Sequence, residues 1–395
     1  MKHVMVVPGG AADHAVGALY GKTPLQAAHL PTLDALARDG LVGSAHLLPE
    51  EVAVAPEAAA LALLGYDPAR CYPGPGPLDA AGREVPLERG DVAFRVDLVS
   101  ADGETVTDPA AGGIAGEDAE ALFQAAAGAL RALNLRFYRG RRRRHVLVWS
   151  GGAADIHCIP PALAAGKPLL ETMPRGDGES VLRTLMWDSL DILDGHAINE
   201  RRRDEGKAPA NLLWPWGPGR APSLPRFATR HGIGGAVLSP AAYWRGAARL
   251  AGLAAPELPG ATGRIETDYA GKVRETIALL RERDFVLLHL GGPGSASARG
   301  DAEMKVDALE RMDERLLAPL LKGVRALDEY RLMVVPDVVF PVEERAPTRE
   351  PVPFVVATSR GIARPARAAF DESAVDESPL VYEDGYRLIE LLISG

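Results

Sequence analysis

Four short, almost unbroken apolar runs constrain this chain most: residues 3–7, 284–290, 331–335 and 352–356. None alternates polar with apolar side chains, so neither face of the strand each would form meets water. Strands of that kind belong in a parallel sheet covered by helices on both sides. Helical periodicity lies between them. Residues 31–38 read as a helix stopped by Gly40. Residues 301–322 read as another, with Met304, Val306, Leu309, Met312, Leu316 and Leu320 on or near one face. Pro319 should sit near the end of that helix or kink it. Strand–helix alternation predicts an α/β layered fold.

The strand signals cluster at the two ends of the sequence, and the middle has another texture. It carries an Ala-rich helix over 117–133, an arginine run over 139–144 and a Pro/Trp-rich loop over 213–219. With 395 residues, two domains can each bury a core. The order predicts a discontinuous core domain over 1–110 and 260–395, with a second domain inserted over 111–259.

Charge narrows the partners. Forty-four Lys and Arg against 53 Asp and Glu give a net charge of −9, a poor match for nucleic acid or an anionic membrane. Two cysteines, Cys71 and Cys158, cannot build a disulfide framework or a Cys-based zinc site. A reduced, cytoplasmic protein is expected. The apolar runs fall short of a membrane span, and residues 1–7 lack the length of an export signal.

Local motifs give little chemistry. Residues 6–13, Val-Val-Pro-Gly-Gly-Ala-Ala-Asp, read as a tight turn after a strand, without the spacing of a nucleotide-binding loop. No two of the nine histidines stand at metal-ligand spacing, and His145 beside Arg144 is the one in the most suggestive setting. Arg139 to Arg144 hold five arginines in six residues and suit a solvated strand edge or an anion site, to which Arg175 and the run Arg201-Arg202-Arg203 could add. Serine-nucleophile and Asp-rich calcium motifs are absent.

Longer words in the sequence carry more. Gly21-Lys22-Thr23-Pro24-Leu25, Leu64-Gly65-Tyr66-Asp67-Pro68, Asp91-Val92-Ala93-Phe94-Arg95, Met173-Pro174-Arg175-Gly176-Asp177-Gly178, Asn199-Glu200-Arg201-Arg202, Asn211-Leu212-Leu213-Trp214-Pro215-Trp216-Gly217-Pro218-Gly219, Pro259-Gly260-Ala261-Thr262-Gly263 and Pro351-Val352-Pro353-Phe354 run across nearly the whole chain. In these the sequence resembles the archaeal-type cofactor-independent phosphoglycerate mutases of the alkaline phosphatase superfamily. The resemblance implies an alkaline-phosphatase-like core, a mixed or parallel sheet with helices on both faces, and an inserted α/β cap domain. It also implies transfer of phosphate between the 3- and 2-positions of glycerate through a phosphoserine, with two divalent ions of the manganese or magnesium class.

The positions that the resemblance assigns to this chemistry read differently here. The first-turn aspartate ligand corresponds to Gly9, and the nucleophilic serine with its following aspartate corresponds to Pro56 and Glu57. An aspartate–histidine ligand pair corresponds to Gly294 and Ala298. Of a later Asp-His pair, Asp337 is kept and Val338 replaces the histidine, and a final histidine corresponds to Pro347. The histidine of a Gly-His pair near the cap boundary is missing from Ala111-Gly112-Gly113-Ile114. One carboxylate cannot hold two divalent ions, and proline has no hydroxyl to phosphorylate.

The words in and around the second domain are better kept: Arg144, His145, Arg175, Asn199, Arg202, Asn211 and Trp214, with Arg95 before it and Lys272 beyond it, match the family pattern. They are candidates for holding a ligand or for stabilising the cap. The resulting expectation is a mutase-like pseudoenzyme without nucleophile, metal or other cofactor, with a binding or regulatory role. Its partner would be a phosphorylated or carboxylate small molecule, a second copy of the chain or an active paralogue. The alternatives are a metal-dependent mutase, phosphatase or phosphonate enzyme with a rearranged site.

Overall fold

The computed structural model describes residues 1–130, 134–327, 329–361 and 369–395. It divides into two compact units, Met1–Tyr72 with Ser223–Gly395, and Pro73–Pro222. Twelve strands are numbered here in chain order: β1 (Lys2–Pro8), β2 (Leu41–Ala45), β3 (Asp91–Ala101), β4 (Val106–Asp108), β5 (Leu135–Arg141), β6 (Arg144–Ser150), β7 (Leu212–Gly219), β8 (Gly235–Leu238), β9 (Phe285–Leu290), β10 (Tyr330–Val334), β11 (Val352–Thr358) and β12 (Val381–Tyr382).

In the first unit seven strands form one mixed sheet in the order β12-β2-β11-β10-β1-β9-β8. β8, β9, β1 and β10 are parallel, and Val4 sits opposite both Val286 and Leu332. Apart from Lys2 and Arg331 their side chains are buried, which accounts for the lack of polar alternation. β11 departs from the parallel reading. It runs antiparallel to β10 and β2, because the connection over 335–351 contains no crossover helix to return the chain in the same direction.

Helix Pro31–Asp39 packs Leu33 and Leu36 on this sheet, in one cluster with Leu309, Met312, Leu316, Leu320 and Val324. The expected helix over 301–322 is continuous from Ala302 to Arg325, with a wide π turn at Asp313–Leu317 between Ala302–Met312 and Ala318–Arg325. Pro319 supplies no N–H and crowds the preceding turn, so the wider turn accommodates it. The buried Asp313 caps its neighbour, accepting from Thr32 N at 3.0 Å and Leu33 N at 2.8 Å.

In the second unit β3 is central, antiparallel to β6 and β7, with β5 beyond β6 and β4 beside β3. Helices Gly116–Ala129 and Glu179–Asp194 bury Leu122, Phe123, Leu182 and Leu185 against it. The Ala-rich helix thus ends at Ala129, and residues 131–133 of its expected span lie outside the described residues. The Pro/Trp-rich segment is strand β7 rather than a loop. Among the described residues it pairs only with β3, so Pro215 and Pro218 cost no ladder bond on its outer edge.

The unit boundaries differ from the expected 110/111 and 259/260. β3 belongs with β6 and β7, and β8 belongs with β9, which moves the junctions to Tyr72/Pro73 and Pro222/Ser223. Among the described residues no helix is long and apolar enough to cross a membrane.

Candidate functional site

The carboxyl ends of the parallel strands bring together segments far apart in sequence. Gly9 closes the β1 turn, and its carbonyl accepts from Gly294 N at 2.8 Å. The N–H of Gly10 donates to Asp337 Oδ1 at 2.8 Å, tying that turn to the loop after β10. Ala12 and Thr348 both form bridges with Val339, so the residue after Pro347 joins the same loops. Glu57, buried in the first turn of helix Pro56–Leu63, acts on Asp337 through its charge. The positions assigned from the resemblance therefore share one region of the first unit.

His289, at the end of β9, occupies the room in which a Gly9 side chain would stand. A Cβ built on Gly9 would lie 2.6 Å from His289 Nε2, 3.2 Å from Leu290 O and 3.4 Å from Asp337 Oδ2. The other imidazole nitrogen, Nδ1, shares a 2.9 Å hydrogen bond with Ser239 Oγ after β8. Burial, with the Lys272 charge adding, pushes His289 down to about 3, so it is neutral at physiological pH. Burial, with the Glu57 charge adding, pushes Asp337 up to about 6 against the bonds it accepts from backbone N–H groups. Trp244 packs beside His289 with ring centroids 5.3 Å apart. Lys272 is buried, and its amine has no hydrogen-bond partner among the described residues.

This donor set does not fit the two divalent ions that the resemblance implies. Gly9, Gly294, Ala298, Val338 and Pro347 present no side-chain donor, and the carboxylates that remain at the assigned positions are Asp337 and Glu57. Among the described residues no group of three or more His, Cys, Asp or Glu side chains could hold a metal ion. Pro56 opens its helix as a ring with neither hydroxyl nor N–H.

In the second unit most candidate ligand residues have structural partners. Arg95 is buried in a two-pronged pair with Asp79, 2.8 Å and 3.0 Å, and lies over the Trp216 ring. Asn199 bonds Leu193 O and Ala210 N and O, and Asn211 bonds Ala101 N and O. Arg202 donates to Ala208 O and Ala111 O, and Trp214 Nε1 to Ile159 O. His145 stacks flat on Phe123, 3.7 Å between centroids, and burial pushes it down to about 3. Arg144 is half-exposed near Asp97, and Arg175 is exposed, with one bond to Glu171 O. The arginine run is a hairpin edge whose charges are met locally, Arg139 by Glu120 and Arg143 by Asp97.

Sequence reasoning missed a buried cluster beside the site. Lys305 Nζ donates to Asp13 Oδ2 at 2.6 Å, Phe340 O at 3.0 Å and Ala12 O at 3.2 Å. Glu372 accepts from Asp13 N and Thr23 Oγ1. The available signal was weak: Lys305 falls on the buried side of its helix, between Pro- and Ala-rich loops.

Comparison with known proteins fixes the lineage. The family profile described as 2,3-bisphosphoglycerate-independent phosphoglycerate mutase matches residues 37–199. A protein of Geobacter sulfurreducens named as a probable mutase of this kind is 38% identical over the whole of both chains. One of Methanothrix thermoacetophila carrying the mutase name is also 38% identical over the whole of both. Among solved structures, the cofactor-independent phosphoglycerate mutase of Thermoplasma acidophilum matches at a TM-score of 0.60 and 28% identity, covering 99% of each chain. A Pyrococcus horikoshii protein matches at 0.79 and 25% identity over 99% of this chain and 97% of that one. With full-length relatives at this identity and an alkaline-phosphatase-like sheet, the chain belongs to the 2,3-bisphosphoglycerate-independent phosphoglycerate mutase family.

Proposed function

We propose that this chain is a phosphoglycerate-mutase scaffold that has lost metal-dependent phosphoryl transfer and works by binding, as a regulatory or sensing protein. One observation carries the reading. The loops assigned to nucleophile and ligands converge at the strand ends, yet what they bring there is Gly9, Pro56, Gly294 and two buried carboxylates, Asp337 and Glu57, against the nucleophile and six ligands that the resemblance assigns. Phosphoryl transfer through a covalent intermediate needs an activated oxygen nucleophile, and charge stabilisation by ions needs several ligands each. A neutral imidazole fills the space of the first-turn ligand. The cytoplasm is the proposed location.

The ligand proposed is a small phosphorylated or carboxylate molecule. Arg144 and Arg175 are the insert candidates with side chains open to solvent, and guanidinium forks suit either group. A second copy of the chain or an active paralogue is the proposed protein partner. Full-length identity to proteins named as mutases favours a second reading, retained mutase activity on a rearranged site.

Phosphorus NMR of 3-phosphoglycerate titrated with protein in metal-free buffer tests the binding role. Line broadening that Arg144→Ala and Arg175→Ala reduce supports it. Unperturbed lines at high protein concentration reject 3-phosphoglycerate as the ligand.

A further inference from the structure

His14 follows the buried Asp13 on the loop after β1, and both of its ring nitrogens meet carboxylates of the connection between β10 and β11. Nε2 lies 2.9 Å from each carboxylate oxygen of Glu350, and Nδ1 lies 3.3 Å from Glu344 Oε1. A neutral imidazole has one N–H and one bare lone pair, so it donates to one of these groups and turns a lone pair toward the other. The form that makes both contacts attractive is the imidazolium, with an N–H on each side. Thr348 Oγ1 donates to Glu350 as well and fixes that carboxylate. The neighbouring charges are engaged in other contacts. Asp13 accepts from Lys305 Nζ and Val342 N, and Glu372 accepts from Asp13 N and Thr23 Oγ1. Arg349 donates to the carbonyls of Leu48, Pro49 and Val52, and Arg345 lies against Gly300.

We propose that His14 is a proton-operated clasp on the rim of the candidate site, holding residues 344–350 to the loop after β1 when charged and releasing them at Glu344 when neutral. Glu350 meets Nε2 with both oxygens, so the proton that stays on the neutral ring stays there, and Nδ1 loses its attraction for Glu344. The segment it governs includes Pro347, and Thr348 in that segment bridges to Val339 beside the Asp337 loop. Burial lowers the imidazole, but the hydrogen bond and charge of Glu350, with the charges of Glu344 and Asp13, hold it above 6.5. The clasp is therefore complete below 6.5 and is lost as pH rises through the higher folded value. The inference stands whether or not the chain retains catalysis.

An NMR titration of the full chain carrying carbon-13 histidine, from about pH 5 to about pH 9, reads His14 through the resonance that His14→Gln removes. The expected midpoint lies above 6.5 and falls in Glu350→Gln. Amide exchange followed by mass spectrometry over residues 341–350 reads the release, comparing parent and His14→Gln at equal pH. At about pH 6 the variant should exchange about two- to fivefold faster, the worth of an exposed ion pair, and at about pH 8.5 the two should agree. Circular dichroism establishes that each variant is folded, and Glu350→Gln takes over the exchange comparison if His14→Gln is not. A midpoint at or below 6.5, a midpoint unmoved by Glu350→Gln, or an exchange ratio independent of pH overturns the proposal.

Discussion

Asp337 keeps the residue type that the resemblance assigns to its position, and its protonation gives a measurable handle on the proposed site. It is 2% exposed, and burial with the Glu57 charge raises its carboxyl from 3.8 to about 6. A raised carboxyl binds its proton more tightly in the folded chain than in the unfolded one. Its contribution to stability is therefore fully present below the unfolded value and is lost as pH rises through about 6. A shift of roughly 2 pH units corresponds to about 3 kcal/mol of ionisation penalty on the folded state at neutral pH. Asp337→Asn removes that penalty while its amide oxygen can still accept from Gly10 N. The amide N–H2 then lacks a partner, which costs about 1 kcal/mol and leaves a net gain of about 2 kcal/mol at pH near 7.5. At pH of about 4.5 the aspartate is protonated in the fold, and the gain should vanish or reverse. Urea denaturation followed by circular dichroism across this range, in chelator, reads the difference. An Asn variant less stable than the parent at pH near 7.5, or a difference independent of pH, would refute the reasoning.

Three further outcomes follow from the same geometry. Gly9→Asp forces a side chain against His289 Nε2 and sets a second carboxylate beside Asp337; it should lower stability by about 2–4 kcal/mol in urea without creating manganese affinity. Lys305→Met leaves Asp13 buried without its cation and should cost about 3–5 kcal/mol, seen as a drop in denaturation midpoint at neutral pH. Arg95→Met leaves the buried Asp79 with only the longer pair to Arg83, 4.0 Å, and should cost about 2–3 kcal/mol, detected by faster proteolysis within residues 73–222; unchanged proteolysis would return Arg95 to the list of ligand contacts.

What the sequence made legible depended on physics that is local. Runs such as residues 285–290 are apolar on both faces because helices cover both sides, and that pattern needs no tertiary information. The direction of β11 was not legible, since an antiparallel neighbour buries the same residue types as a parallel one. Strand β7 was hidden by its prolines, which only an edge position tolerates. The domain junctions were marked by Pro73, Pro75 and Pro77, a signal outweighed by the composition shift some forty residues later. In the site, family words located Gly9, Gly294 and Asp337, and the fold does gather them. The same words marked Asn199, Asn211 and Trp214, whose bonds to backbone groups make them supports of the second unit. A word preserved for folding and a word preserved for binding look alike until the partner atoms are known. The role of His289 was out of reach, because the space it fills exists only where Gly9, β9 and Asp337 meet.

The proposed loss of metal-dependent chemistry is tested most directly by phosphorus NMR of 3-phosphoglycerate incubated overnight with concentrated protein and excess manganese. The account predicts an unchanged spectrum. Formation of 2-phosphoglycerate or free phosphate, abolished by chelator, would contradict it and return the chain to the active mutases.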